Sequence, residues 1–403
     1  MIVGSWFALI VAFGLTVPGL YLRLTGTHTS APLQSVAFGL AVLGAAFLLS
    51  WAAEVAQLEI SQALALAVLA LIAVLPEYAV DLYFAWTAAA KPEYGAYAAA
   101  NMTGANRLLI GVAWPLIILI FWLRKRKDVL PLEPAHRVEL SFLGVATLYA
   151  FLIPLKGSFS LLDSIVLLPL FGWYVWRVAR THADHPELVG PAELIGRLPR
   201  AARRVATVVL FLFAGAVIFM VAEPFAESLV ETGAALGFDR FLLIQWLAPF
   251  ASEAPEFIIA ALLAWRGLAT AGFGALISSK INQWSLLVGM IPIAYGLASG
   301  NILKPLALDA HQVQELWLTA SQSLYAMGIM LNLLISIRGA ATLFVLFLIQ
   351  FIFPGTHIPI SIVYLALAAY LIVRDRGHIL LLLRDGLWKQ EREPLVAVSE
   401  ASR

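Results

Sequence analysis

Four acidic side chains stand inside apolar runs of this 403-residue chain, in two pairs at helical spacing. Glu77 and Asp81, in "PEYAVDLYFAW", are four residues apart, and Glu253 and Glu256, in "ASEAPEFIIAALLAW", are three apart. Each pair therefore shares one face of a helix. Pro76 and Pro255 directly precede Glu77 and Glu256. A carboxylate left in hydrocarbon costs on the order of 2.5 kcal/mol or more, so such residues are functional by default. Four of them near mid-membrane repel one another unless they are protonated or countered by cations. Oxygen donors from carboxylates, asparagine and backbone carbonyls suit Na⁺ or Ca²⁺. Lys280, in "ISSKINQW", supplies a tethered positive charge. If it pairs with Glu253 or Asp81, it takes the volume of a metal ion and points to proton coupling, with Lys280 or a carboxylate titrating as a gate alternates. A counter-ion that never moves a proton is the bland alternative for this lysine.

The chain around these residues belongs in a bilayer. It is 61% hydrophobic and 13% charged, with a mean hydropathy of +0.88, more apolar surface than a soluble core of this length buries. A net charge of +1 with no basic stripe argues against nucleic acid as a partner. The absence of cysteine excludes disulfides, thiol catalysis and Cys-ligated metals. The sequence has no phosphate loop, nucleophile elbow or paired metal motif, so no enzyme activity is expected, and no cofactor beyond transported cations. The opening run lacks a basic leader and is read as a retained helix.

A hydrocarbon core of about 30 Å needs roughly 20 apolar residues per helix. About twelve stretches qualify, near 2 to 23, 33 to 58, 62 to 90, 96 to 123, 139 to 155, 158 to 179, 205 to 232, 240 to 265, 271 to 297, 315 to 335, 339 to 354 and 358 to 374. Basic residues cluster in "RKRKD", around Arg197 to Arg204 and in "RDRGH", which share one side only with this numbering. Cytoplasmic loops are the basic ones, so both termini are expected in the cytoplasm of a cell (inner) membrane protein. The tail "GHILLLLRDGLWKQEREP" reads as an amphipathic helix on the interface with a charged, disordered end.

Without gaps, one offset pairs Glu77 with Glu256, Trp86 with Trp265, Gly95 with Gly274, and Asn101 with Lys280. This is an internal duplication. An odd number of spans separates the copies, so they are inserted in opposite directions. Inverted repeats with interrupted helices at matching positions point to a secondary transporter whose site lies at the midplane. Pro76 and Pro255 each remove an intrahelical hydrogen bond, and the expected breaks free carbonyls for a polar cavity. The expected fold is all-α and polytopic. A first half spans residues 1–155 (repeat core 62–123), a second half 156–354 (core 240–297), and the last helix and tail 355–403.

At these residues the chain resembles the sodium/calcium exchanger superfamily of cation antiporters. That family's two repeats carry a Ser-x-Pro-Glu type break and a downstream Gly-Ser-Asn stretch ending in glycine. Here the second repeat reads "ASEAPEF" then "GALISSKINQWSLLVG", and the first reads "AVLPEYAVD" then "GAYAAANMTGANRLLIG", with one extra residue. The resemblance implies two inverted repeats and alternating-access antiport of Ca²⁺ or Na⁺ against Na⁺ or H⁺. It implies a cation ligand set drawn from Glu77, Glu256, Glu253, Asp81, Asn101, Asn106, Gln283 and Ser279, with Lys280 as a coupling or counter-ion residue. The ligand position three residues before each central glutamate falls on Val74 and Glu253, and a downstream one near Gly104 or Asn106. These departures leave the transported ion open and permit a different class, an exchanger fold kept as a non-transporting module for assembly or sensing.

Other polar residues have blander readings. Arg107 snorkels or caps a carboxylate, with a structural role favoured. Glu54, Glu223 and Glu227 line an access path or sit at an interface. His136 and His311, in or near loops, are expected to be solvated, with no metal-ligand spacing beside either.

Overall fold

The computed structural model describes residues 2–58, 75–179, 188–237 and 239–388. In chain order the helices are α1 (Ile2–Thr25), α2 (Ala31–Ala56), α3 (Leu75–Thr87), α4 (Tyr94–Leu108), α5 (Trp114–Lys125), α6 (Arg137–Ala150), α7 (Leu152–Lys156), α8 (Leu161–Val178), α9 (Pro191–Gly196), α10 (Arg200–Leu236) and α11 (Arg240–Arg266). They continue as α12 (Ala269–Asn282), α13 (Val288–Ala298), α14 (Ala310–Gly328), α15 (Ile337–Ile352), α16 (His357–Arg374) and α17 (Arg376–Leu383). A π-helical turn, Leu109–Ala113, joins α4 to α5, and another, Gln283–Leu287, joins α12 to α13.

Among the described residues nine helical segments are long and apolar enough to cross a membrane. Each lies where a span is expected. Of the remaining expected spans, α15 is shorter, and α14 carries Gln312, Gln314, Glu315 and Gln322 in 19 residues. The first part of the expected third span, with Val74, lies outside the described residues, as does the tail beyond Trp388. The described part of the tail does not simply lie on an interface. Arg177 donates to the carbonyl oxygens of Asp385 and Gly386, and Arg137 pairs with Asp385, tying it to α8 and α6.

Two short antiparallel ladders mark the two faces of the helical layer. Strand β1 (Val129–Pro131) pairs with β4 (Leu334–Ser336), and β2 (Ser158–Phe159) pairs with β3 (Leu306–Ala307). On the first face Thr270 also donates to the Pro131 carbonyl, and Arg124 stacks over Trp265. On the second face Pro92, Asp239, Arg240 and Asp309 line one depression. So α3 runs toward the second face while α11 starts there and runs back. Likewise α4 and α5 descend to the first face while α12 and α13 climb away from it. The duplicated segments are therefore inverted.

The inner group is α3, α4, α11 and α12, with α11 in contact with each of the other three, and α2 and α10 are packed together outside it. The helices interlock through small residues. A side chain at Gly44 would press within 2.4 Å of the Ala12 carbonyl, and one at Gly104 would lie 1.8 Å from the Gln245 carbonyl. Gln245 lies four residues before Pro249, so its carbonyl has no helical N–H to accept. That carbonyl instead faces the bare Cα of Gly104.

The predicted break at Pro255 is not found. Helix α11 runs unbroken through Pro249 and Pro255, because losing one N–H donor at each proline leaves the surrounding turns intact. At Pro76 the segment before the proline falls outside the described residues. The local distortion appears later, as the two π-turns, which occupy comparable places in the two repeats and precede Pro115 and Pro292. Such turns recur at functional sites.

Replacing Gly104 by alanine should lower thermal stability in detergent by about 1–3 kcal/mol, the usual cost of overpacking. Gly14→Ala, at a position with open space around it, should leave the unfolding midpoint unchanged. Differential scanning fluorimetry of the two variants checks the contrast.

Candidate functional site

The two repeats meet through one side-chain amide. Gln283, at the start of the second π-turn, donates from Nε2 to Glu253 Oε1 at 2.5 Å and to Glu77 Oε2 at 3.3 Å. A carboxylate from each inverted copy thus shares one NH₂ group. Glu77 lies in the first described turn of α3, and Asp81 follows one turn later. Both are buried, as are Glu253, Lys280, Asn101, Asn106 and Gln283. Asp81 and Glu256 lie within electrostatic range of Glu77, and Asn101 faces Asp81. A second link between copies runs from Tyr78 Oη to Asn282 Oδ1 at 2.8 Å.

Many oxygens here accept no hydrogen bond: Glu77 Oε1, both Asp81 oxygens, Asn101 Oδ1, Glu253 Oε2 and Gln283 Oε1. Buried polar atoms are almost always partnered. A cluster of partnerless oxygens at this depth has the donor chemistry of a hard cation or of bound protons. Sequence reasoning missed Gln245, whose side-chain oxygen and nitrogen are both buried and unpartnered about two turns before Glu253. A lone glutamine in an apolar helix was its only signal.

Glu256 differs from the other three acids. It is half-buried, accepts from Ser279 Oγ at 2.6 Å, and borders a cavity of about 370 Å³. Glu54, Gln57, Glu139 and Ser278 line the same cavity, near the first-face ends of α2 and α8. On the second face Glu227 of α10 accepts from Tyr83 at 2.5 Å and Tyr94 at 2.6 Å, with Lys91 at 3.6 Å. Glu227 therefore fastens the outer helix to the ends of α3 and α4 there. Glu223 pairs with Arg23 at 3.5 Å, both well exposed.

Lys280 does not pair with Glu253 or Asp81. Its ammonium donates to Asn106 Oδ1 and lies 4.5 Å from the centre of the Trp284 ring. It still acts through space on Glu253 and Glu77. The reason is reach: Asn106, fixed by its own donation to the Met102 carbonyl at 2.8 Å, meets the lysine first. Both polar groups of Asn106 are engaged in this arrangement.

Arg107 neither snorkels nor caps one of these acids. It is wholly buried, with Nη2 2.5 Å from Glu315 Oε2 and its guanidinium over Trp246 at 5.0 Å. The loop-histidine reading also needs correction. His136 stands 3.8 Å from Glu139, and His311 is brought beside Glu315 and His357.

Residues 30–179 and 206–373 match the sodium/calcium exchanger protein family. Among solved structures, the chain is similar to the H⁺/Ca²⁺ exchanger CAX, with 43% identity, a TM-score of 0.91, and coverage of 95% of this chain and 97% of that one. The fold is shared with the Ca²⁺/H⁺ antiporter YfkE, at 16% identity and a TM-score of 0.61 over 88% of this chain and 99% of that one. It is also shared with the sodium-calcium exchanger NCX_Mj, at 18% identity and a TM-score of 0.51 over 85% and 98%. No curated protein matches the chain. With the family match running through both inverted repeats and the buried acids between them, the chain belongs to the sodium/calcium exchanger family of membrane cation antiporters.

Proposed function

We propose that the protein exchanges Ca²⁺ for protons across the membrane by alternating access. The observation that carries this reading is the buried junction of Glu77 and Glu253 on Gln283, with Asp81 one turn from Glu77 and unpartnered oxygens from both repeats. The 43% identity with an H⁺/Ca²⁺ exchanger supports the choice of ions.

Charge conservation gives the coupling its physical basis. A buried group of acids changes its net charge only at high cost, because burial removes the solvation of each ion. When Ca²⁺ binds, two carboxylates must be ionised beyond the number that Lys280 balances. When Ca²⁺ leaves, two protons restore the same net charge. Protons and Ca²⁺ thus compete for the same oxygens. Ions reach Glu256 through the cavity past Glu54 and Glu139, while the Tyr83–Tyr94–Glu227 contacts hold the second face closed. In this reading the arrangement is open to the first face, and that face is the cytoplasmic one with both termini, as its basic loops support. Lys280 acts as a fixed positive charge, steadied by Asn106 and Trp284, that favours the ionised acids without blocking them.

The lost ligand position at Gly104 does not favour a non-transporting module. Glycine there has a packing role against the Gln245 carbonyl.

In proteoliposomes at zero membrane potential, an acid lumen should drive Ca²⁺ uptake, and dissipating ΔpH should stop it. Ca²⁺ flux indifferent to ΔpH would refute proton coupling. Apparent Ca²⁺ affinity should rise with pH, by about tenfold per pH unit for each competing proton. Glu77→Gln and Glu253→Gln should each weaken Ca²⁺ binding on the order of a hundredfold, the scale of about 3 kcal/mol from one buried charge partner. Isothermal titration measures both.

Lys280→Met keeps most of the volume and removes the charge. The acids then lose a positive neighbour, so the pH profile of transport should move to more alkaline values. An unchanged profile in flux assays would reduce Lys280 to a space-filler.

A further inference from the structure

We propose that His311, Glu315 and His357 form a binding site for a transition-metal ion of the zinc class, on the second face and separate from the transport acids. The site joins the beginnings of two helices. His311 and Glu315 lie one turn apart on α14, and His357 opens α16. His311 Nε2 is 3.6 Å and His357 Nδ1 3.5 Å from the same oxygen, Glu315 Oε1. The three ligand atoms lie within 4.8 Å of one another.

The two spacings to Glu315 Oε1 fit a common metal. Two ligands bound at about 2.1 Å and held at a tetrahedral angle stand about 3.4 Å apart. At 3.5 and 3.6 Å the imidazole nitrogens are too far from Glu315 Oε1 for hydrogen bonds, yet nearly at the separation of two atoms sharing one ion. Glu315 is fully buried, and its Oε1 has no hydrogen-bond partner. Its other oxygen is held by Arg107, which also donates to Gln350 at 3.4 Å. Such an outer contact fixes the orientation of a ligating carboxylate.

The donor set also selects the ion. Two imidazoles and one carboxylate suit Zn²⁺ and its first-row neighbours, whereas Ca²⁺ prefers an all-oxygen shell. The transport acids offer the reverse chemistry, so the two sites should sort ions by ligand type. Access is from the surface: the His311 side chain is 46% exposed, and Phe241, against its ring at 4.5 Å, lines the second-face depression with Asp239 and Asp309.

The test titrates the full-length protein in detergent with ZnCl₂ by isothermal calorimetry, in saturating Ca²⁺. One equivalent of Zn²⁺ should bind despite the Ca²⁺. His311→Ala should weaken it by at least about tenfold, and Glu256→Gln should leave it unchanged. His311 is partly exposed, so this variant should keep the fold, and its wild-type unfolding midpoint verifies that. Zn²⁺ displaced by Ca²⁺, or bound equally well by His311→Ala, would overturn the assignment. Independently, anomalous scattering at the zinc edge should place the ion between His311 and His357. A peak only among Glu77, Asp81, Glu253 and Glu256, or no peak, would equally overturn it.

Discussion

Several carboxylates buried at the middle of a membrane protein impose the constraint from which the rest of this architecture follows. Each is unstable alone, and together they repel. The protein keeps them by drawing them from two inverted copies and joining Glu77 and Glu253 through the two protons of one Gln283 amide. It places Lys280 close enough to act on them, yet anchors its ammonium on Asn106 and the Trp284 ring. The acids therefore retain unpartnered oxygens instead of being consumed by salt bridges.

The scaffold serves that arrangement through close contacts of backbone with backbone. Gly104 lets α4 rest on the Gln245 carbonyl that Pro249 leaves without a donor, so one helix's missing hydrogen bond meets the other's missing side chain. The π-turns after α4 and α12 give both copies a local irregularity beside the site without breaking either helix. On each face a short ladder ties distant loops together, joining the segment after α5 to the one before α15 on the first face and the segment before α8 to the one after α13 on the second.

The two faces are not equivalent. A cavity reaches Glu256 from one, and a glutamate shared by two tyrosines fastens α10 on the other. Glu227 and Glu256 thus sit in opposite surroundings. The first is consumed by hydroxyl donors, while the second keeps contact with open space. A further buried ion pair, Arg107 with Glu315, lies beside Asn106 in sequence but turns away from the acids toward α14. Neighbouring residues of one helix therefore feed two separate polar clusters.

Composition and apolar run lengths alone determined the membrane setting and the position of most spans, because hydrocarbon thickness acts on every segment in the same way, and one gap-free offset with the span count gave the duplication and its inversion. The acids were legible too, since a carboxylate in an apolar run has few explanations. Partner choice was not legible. That Lys280 meets Asn106 and not Glu253, and that Gln283 bridges both copies, depend on how helices far apart in sequence approach one another. The grouping of His311 and Glu315 with His357 is of the same kind: spacing along one helix can be read from the chain, but the third member arrives only when α16 packs against α14.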